Sequence, residues 1–388
     1  MRIVLLPSAY APAVGGVEEL TAKLAQRLLA AGDAVEVWTI RHPAELPADE
    51  QIDGVRVRRF AMPLPRLAPV ALAGFPRQAA RAARPLVEAA AEFRPDLLHV
   101  QCFSANGVYA TWLARKLDVP VVVSLQGETV MDDADVYEHS LTLRLGLRAG
   151  LRRADAVTGC SRFVLDDAER RFGLRPGKGD VVPNGVELDE PAVPAPLVLP
   201  FERFVLGLGR IVEKKGFDLL LAAFARLAPR HPELGLVIGG DGAARQGLLD
   251  AARAAGLEER VALPGALSRG QVAWATAAAS AFVLPSRVEP FGIVVLEALR
   301  AGCPVVATPR GGATDIVRDG IDGLVVDPLD ADALARAVER LLTDEGLARR
   351  LRAAGPRRAA AFGWSELAPR YRAVYDDAIA GRGQNRAS

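Results

Sequence analysis

Apolar and polar positions in the first forty residues follow three successive patterns. Residues 3–6 form a short unbroken apolar run closed by Pro7, which predicts a buried strand. Across 17–31 apolar positions recur every three or four residues and stop at Gly32, which predicts an amphipathic helix. Residues 35–40 return to a strand, and the loop between the first strand and the helix carries Gly15 and Gly16. The alternation resumes with a strand at 96–100, a helix near 107–117, a buried strand at 120–125 and a shorter one at 154–159. It restarts at 204–208 and continues through strands at 236–239, 261–263, 281–284, 305–307 and 324–326, each separated by helical sequence. Helices then run from 331 to about 377, and 381–388 reads as a frayed tail.

Strands alternating with helices imply parallel sheets covered by helices, so the fold class is α/β with two open sheets. The proline-dense stretch 191–200 marks the expected linker, between a first domain at 1–190 and a second at 201–363. Residues 364–388 are expected to form a last helix, anchored by Trp364 and packing back across the junction, and the tail. At 388 residues the chain exceeds what one core usually supports, which agrees with two domains.

Composition narrows the function classes. Forty-eight Lys and Arg against 47 Asp and Glu leave a formal charge of +1, which argues against a nucleic-acid partner. Three distant cysteines, Cys102, Cys160 and Cys303, fit neither a disulfide framework nor a zinc site and point to a reducing cytoplasm. No stretch reaches the ~20 apolar residues of a membrane span, so any membrane contact is expected to be peripheral, at the inner face. Lysine is rare, 5 against 43 arginines, which draws attention to Lys214 and Lys215.

In open parallel sheets ligands bind beyond the carboxyl ends of strands. Directly after the strand at 281–284 comes Ser286-Arg287-Val288-Glu289-Pro290-Phe291-Gly292-Ile293-Val294-Val295-Leu296-Glu297. Pro290 and Gly292 turn the loop into a helix whose first N–H groups, near Gly292 to Val294, favour an anion. Glu289 lies before that helix and Glu297 is expected about two turns into it, so the carboxylates bracket the anion-binding end. Two solvated acids near a helix start are the plain alternative. After the first strand of the second domain, Gly207-Leu208-Gly209-Arg210 leads to Glu213-Lys214-Lys215-Gly216, placing cations where they can neutralise phosphate. Gly239-Gly240-Asp241-Gly242 reads equally as a sharp turn or a close ligand approach. Neither Gly15-Gly16 nor Gly207-Leu208-Gly209 continues into the dinucleotide fingerprint, and the Walker pattern is absent.

In order and spacing these segments resemble the retaining glycosyltransferases of the GT-B fold, most closely family 4. The resemblance rests on Gly15-Gly16, Pro183-Asn184-Gly185-Val186, Gly209-Arg210 with Lys215-Gly216, Gly240-Asp241-Gly242 and the glutamates Glu289 and Glu297. It extends to Ala301-Gly302-Cys303-Pro304-Val305-Val306-Ala307 with Gly311-Gly312. It implies two Rossmann-like domains facing a cleft, and transfer of a sugar from a nucleotide-diphosphate sugar, UDP- or GDP-linked, with retention and without a metal or other cofactor. Arg210 and Lys215 would then bind the diphosphate, with backbone at Gly209, Gly240, Phe291, Gly292, Ile293 and Val294 and with Gly16 across the cleft. Glu297 would hold the ribose hydroxyls and Glu289 would sit at the donor sugar. The acceptor is expected to be a sugar, a lipid-linked or a small molecule, met by Gly15, Gln126 and Gly127.

Where many relatives carry histidine after the fourth strand of the first domain, this chain has Gln126, and a second common histidine is likewise Gln101. Glutamine hydrogen-bonds but cannot serve as a general base. His99 in a strand reads as core. Asp133-Ala134-Asp135 is expected to be a polar loop and not a metal motif, and Asp330-Ala331-Asp332 a helix start. Arg144, Arg148, Arg152 and Arg153 lie among leucines at near-helical spacing, and 60–84 mixes apolar residues, prolines and arginines; an ordinary surface helix and loop is the plainer reading, a helix resting on anionic lipid with an acceptor-side loop the other. Two other readings fit the same architecture: a sugar-nucleotide epimerase, or a catalytically silent nucleotide-sugar sensor.

Overall fold

The computed structural model describes residues 1–13, 15–65, 69–132, 135–188 and 195–387. The chain divides into two compact units, residues 1–184 with 364–388, and residues 185–363. In the first unit β1 (Arg2–Pro7), α1 (Gly16–Ala30), β2 (Ala34–Ile40), β3 (Asp49–Ile52) and β4 (Val55–Phe60) are followed by α2 (Pro69–Phe93) and β5 (Leu97–Gln101). Next come α3 (Ala105–Leu117), β6 (Val121–Leu125), α4 (Glu128–Met131), α5 (Val136–His139), α6 (Leu141–Arg153), β7 (Ala156–Gly159), α7 (Arg162–Phe172) and β8 (Gly179–Val181).

These eight strands form one sheet in the order β3-β4-β2-β1-β5-β6-β7-β8, parallel apart from the β3–β4 pair. Ile3 to Leu6 of β1 are fully buried, as a central parallel strand requires. α1 turns Leu20, Leu24 and Leu28 onto the sheet at helical spacing. Chain order reverses between β1 and β5, so the loops after β1, β5 and β6 lie at the edge where ligands are met.

The second unit contains β9 (Arg203–Leu208), α8 (Phe217–Leu227), β10 (Leu234–Gly239), α9 (Arg245–Ala254), β11 (Val261–Gly265) and α10 (Arg269–Ala278). β12 (Ala281–Leu284), α11 (Ile293–Arg300), β13 (Val305–Ala307), β14 (Leu324–Val325), α12 (Ala331–Thr343) and α13 (Glu345–Ala360) complete it. Its sheet is wholly parallel in the order β11-β10-β9-β12-β13-β14, with the reversal between β9 and β12. A core of Val205, Leu220, Phe224, Leu236, Val283 and Val306, all nearly or fully buried, joins the strands to α8. Asp330 caps α12 by accepting the Ala333 N–H at 2.8 Å, the helix start expected of that aspartate.

The last helix, α14 (Trp364–Ala387), belongs to the first unit, where it packs on α1, β6 and β7 with Trp364 buried. It runs on through the residues expected to fray. The larger difference lies at 60–84, expected as a loop: residues 69–93 are helical despite Pro76 and Pro85. Both prolines are exposed, so water reaches the backbone they leave unbonded, and Leu86, Ala89 and Ala90 bury the far end of the helix. The β3–β4 hairpin was also not anticipated, and it turns on Asp53 and Gly54, with φ of 49° and 80°. α6 confirms an amphipathic helix around the arginines: it buries Leu143, Leu147 and Leu151, and Arg148 donates to the Arg171 carbonyl at 3.0 Å. Among the described residues no helix is long and apolar enough to cross a membrane.

Candidate active site

The loops after β9 and β12 flank the reversal point of the second sheet and carry the cations and glutamates singled out above. β9 ends at Leu208, and Gly209 then donates its N–H to Gly239 at 3.0 Å while Ile211 donates to Asp241 at 2.7 Å, tying this loop to the one after β10. The approach is too close for any side chain: a Cβ on Gly240, where φ is 137°, would lie 1.9 Å from the Gly209 carbonyl oxygen. Arg210 is exposed at the strand end.

Lys215 closes a single 3-10 turn, Glu213–Lys215. Its Nζ lies 2.7 Å from Oε2 of Glu289, and Ser286 Oγ donates to the same oxygen at 2.9 Å. The Glu289 side chain is 6% exposed and that of Lys215 15%, so this is a largely buried pair. The Glu289 backbone is fixed as firmly. Its N–H donates to Arg310 at 2.9 Å and its carbonyl accepts the Gly312 N–H at 2.7 Å. A Cβ on Gly311, with φ of 134°, would fall 2.0 Å from that carbonyl oxygen.

A second clamp holds the two loops together. Arg287 meets Asp218 with both guanidinium ends, at 2.7 and 2.6 Å, and donates to the Glu213 carbonyl at 2.9 Å. Its own N–H reaches the Lys214 carbonyl, also at 2.9 Å. The Arg287 hydrogen bond holds the Asp218 carboxyl below the usual carboxylate range.

α11 begins immediately after this loop, with Gly292 as N-cap, a residue that has no side chain to cap the first N–H groups. Ile293, Val294 and Glu297 are half-buried. Since the helix starts at Ile293, Glu297 is a little over one turn into it at ~3.6 residues per turn, and not two as expected. Phe291 turns its ring into the core against Phe362, at a centroid distance of 6.1 Å, so only its backbone faces the loop. A neutralised carboxylate, an exposed arginine and an uncapped helix start can together meet an anion that also carries hydroxyls.

In the first unit Gly15 is extended and Gly16 is the first residue of α1, with Glu18 Oε2 folded to 2.5 Å from where a Gly15 Cβ would stand. Gln126 follows β6 and precedes Gly127, the N-cap of α4. Gln126 and Gln101 bond each other: Gln126 Nε2 donates to Gln101 Oε1 at 3.1 Å. Glu128 locks this edge by accepting the Phe103 N–H at 2.6 Å and the Gln126 N–H at 2.7 Å. Burial raises its pKa, and the backbone donors oppose that rise. His99 is fully buried between Tyr375 Oη at 2.7 Å and Ser124 Oγ at 2.6 Å, and burial brings its pKa down to about 3, so it is a neutral core residue as expected. Of the Asp133-Ala134-Asp135 segment, positions 133 and 134 lie outside the described residues.

A D-inositol 3-phosphate glycosyltransferase of Kineococcus radiotolerans is 34% identical over 96% of this chain and 93% of its own length. The chain belongs to the family 4 glycosyltransferases. The model described as Glycosyltransferase Family 4 matches residues 14–190 of this glycosyltransferase, and Glycosyl transferases group 1 matches 197–358. A glycogen synthase of Mycobacterium tuberculosis is 30% identical over 97% of the chain and 94% of that protein. Among solved structures, sucrose-phosphate synthase from Thermosynechococcus elongatus superposes with a TM-score of 0.80 at 25% identity, covering 98% of this chain and all of that one. The Anabaena protein HepE in complex with UDP and glucose has the same fold, with a TM-score of 0.72 at 22% identity over 94% of this chain and 95% of that one. The architecture of this glycosyltransferase is therefore GT-B, two Rossmann-like parallel-sheet domains.

Three residues that position the glycosyltransferase's loops were not singled out in the sequence: Asp218, Arg310 and Glu128. Asp218 and Glu128 carried a weak signal, an acid in the first turn of a helix. Arg310 acts through its backbone carbonyl, which leaves no side-chain signature.

Proposed function

We propose that this glycosyltransferase moves a hexose from a UDP- or GDP-sugar to an acceptor hydroxyl with retention and without a metal, in the building of a glycan, glycolipid or other glycoconjugate. The observation that carries the reading is the buried Lys215–Glu289 pair beside Arg210 and the uncapped start of α11, at the reversal point of the second sheet. As the bond from the sugar C1 to the phosphate oxygen breaks, negative charge builds on the departing nucleoside diphosphate, and fixed donors must meet it. Arg210, Lys215 and the N–H groups of Gly292, Ile293 and Val294 do so, with the backbone at Gly209 and Gly240 completing the contacts. The acceptor oxygen bonds to C1 on the same face, and its proton passes to the leaving phosphate oxygen. Glu289 accepts from donor-sugar hydroxyls, Glu297 from the ribose, and the Gln126–Gly127 turn with Gly15 positions the acceptor. The names of the relatives, D-inositol 3-phosphate glycosyltransferase and glycogen synthase, support a polyhydroxylated acceptor, and UDP bound to HepE supports a uridine donor.

The test is nucleoside diphosphate release from UDP- and GDP-sugars over a panel of acceptors, with chelator present. Arg210→Ala and Lys215→Ala should each lose about 2–4 kcal/mol of transition-state stabilisation, or about 30- to 1,000-fold in kcat/KM. Activity within about twofold of wild type in both variants would exclude this diphosphate site.

A further inference from the structure

Helix α2 separates two recesses of the first unit that differ sharply in chemistry. On one side lies a groove of about 410 Å³, walled by Phe75 and Ala80 of α2, Val108 and Trp112 of α3, and Pro63 and Pro65 of the loop after β4. Its volume is that of a small-molecule site. The proline loop is pinned in place: Tyr109 Oη donates to the Pro63 carbonyl at 3.0 Å and Thr142 Oγ1 to that of Pro65 at 3.3 Å. Trp112 remains 40% exposed, a large apolar surface left to water in a wall that is otherwise well held.

On the other side of α2 a wider recess of about 1040 Å³ is lined by arginines, and Pro63 borders both recesses. Arg58 there is matched by Glu36 at 3.1 Å and Glu92 at 2.8 Å, and Arg59 by Glu50. Arg77 and Arg81, four residues apart and so on one face of α2, are exposed. Neither forms an ion pair or side-chain hydrogen bond with another described residue. Two like charges one turn apart repel each other, and a phosphate-type anion with several acceptor oxygens relieves both.

We propose that the groove and the Arg77–Arg81 pair together bind an anionic amphiphile, its hydrocarbon chain against Trp112 and its phosphate-type headgroup on the two arginines. The loop after β4 lies at the same carboxyl edge of the sheet as Gly15 and Gln126, so the amphiphile is placed as an acceptor. That role rests on the transferase reading above, whereas the binding does not.

The groove contains its own probe. Trp38 and Trp364 are buried and Trp274 stacks on Phe204 in the other unit, so a shift in tryptophan emission on filling the groove reports on Trp112. Decyl phosphate, decyl maltoside and inorganic phosphate are titrated into the full chain below micelle concentrations. The proposal expects a saturable blue shift with decyl phosphate at least about tenfold tighter than with decyl maltoside, and none with phosphate alone. Arg77→Ala with Arg81→Ala should bring decyl phosphate down to the affinity of the neutral detergent. Ala80→Phe, at an exposed position that fills the groove, should weaken both by about tenfold or more. No saturable shift, or affinities unchanged in these variants, overturns the proposal. Thermal shifts by UDP- and GDP-sugars, measured on the same samples, separate the two claims. A donor shift without amphiphile binding defeats the groove alone, and amphiphile binding without a donor shift defeats its role as acceptor site.

Discussion

Lys215 and Glu289 stand 74 residues apart in sequence and 2.7 Å apart in space, and each is placed by its own strand end. That both belonged to loops at a carboxyl edge was legible, because each follows an apolar run and precedes a helix. Their pairing was not legible, since nothing local distinguishes a glutamate turned inward on a lysine from one turned to solvent. His99 illustrates burial acting on a single residue. Its pKa of about 3 lies below the ordinary 6.5, so between those values the unfolded chain binds a proton that the folded chain does not. Its contribution is therefore complete above pH 6.5 and is lost as pH falls toward 3. Urea unfolding should lose about 2 kcal/mol between pH 6.5 and 5 through this residue, at ~1.4 kcal/mol per pH unit once protonation of the unfolded chain is under way. His99→Gln, which cannot titrate there, should flatten that slope, and an unchanged slope would show that another group carries it.

Among the elements, the site is assembled by loops that touch backbone to backbone. Gly240→Ala would drive a Cβ to 1.9 Å from the Gly209 oxygen at a φ of 137°, parting the loops after β9 and β10. A loss of about 2–4 kcal/mol in unfolding free energy is expected, from strain and overpacking together. Gly247→Ala is the control. Gly247 lies within α9 and a Cβ there meets nothing within 4 Å, so that variant should be neutral or more stable by up to about 1 kcal/mol. Equal stability of the two variants would contradict the close approach. The glycine motif itself was legible, but turn and ligand approach remained alternatives because one sequence serves both. Helix α2 was missed because Pro76 and Pro85 interrupt its pattern, while water at its exposed face removes most of their cost. The β3–β4 hairpin was legible in principle, since Asp53-Gly54 between Ile52 and Val55 is a two-residue turn signal.

In the whole molecule, two sheets each reverse chain order beside their first strand, and the residues with chemistry gather at those reversals. The repeated strand–helix alternation made that architecture readable, whereas the return of α14 to the first unit depends on packing by residues far apart in sequence. The central claim is that the second unit holds a nucleoside diphosphate on Arg210, Lys215 and the start of α11 without a metal. Thermal unfolding with UDP, GDP, ADP and their sugar conjugates, in chelator, tests it most directly. A ligand at a hundred times its dissociation constant adds about 2.7 kcal/mol, which for a domain of this size raises the transition by roughly 5–10 °C. We expect such a rise with uridine or guanosine diphosphate and its sugars, and its loss in Lys215→Ala and Arg210→Ala. No rise with any of these nucleotides, or a rise undiminished in both variants, would contradict the account.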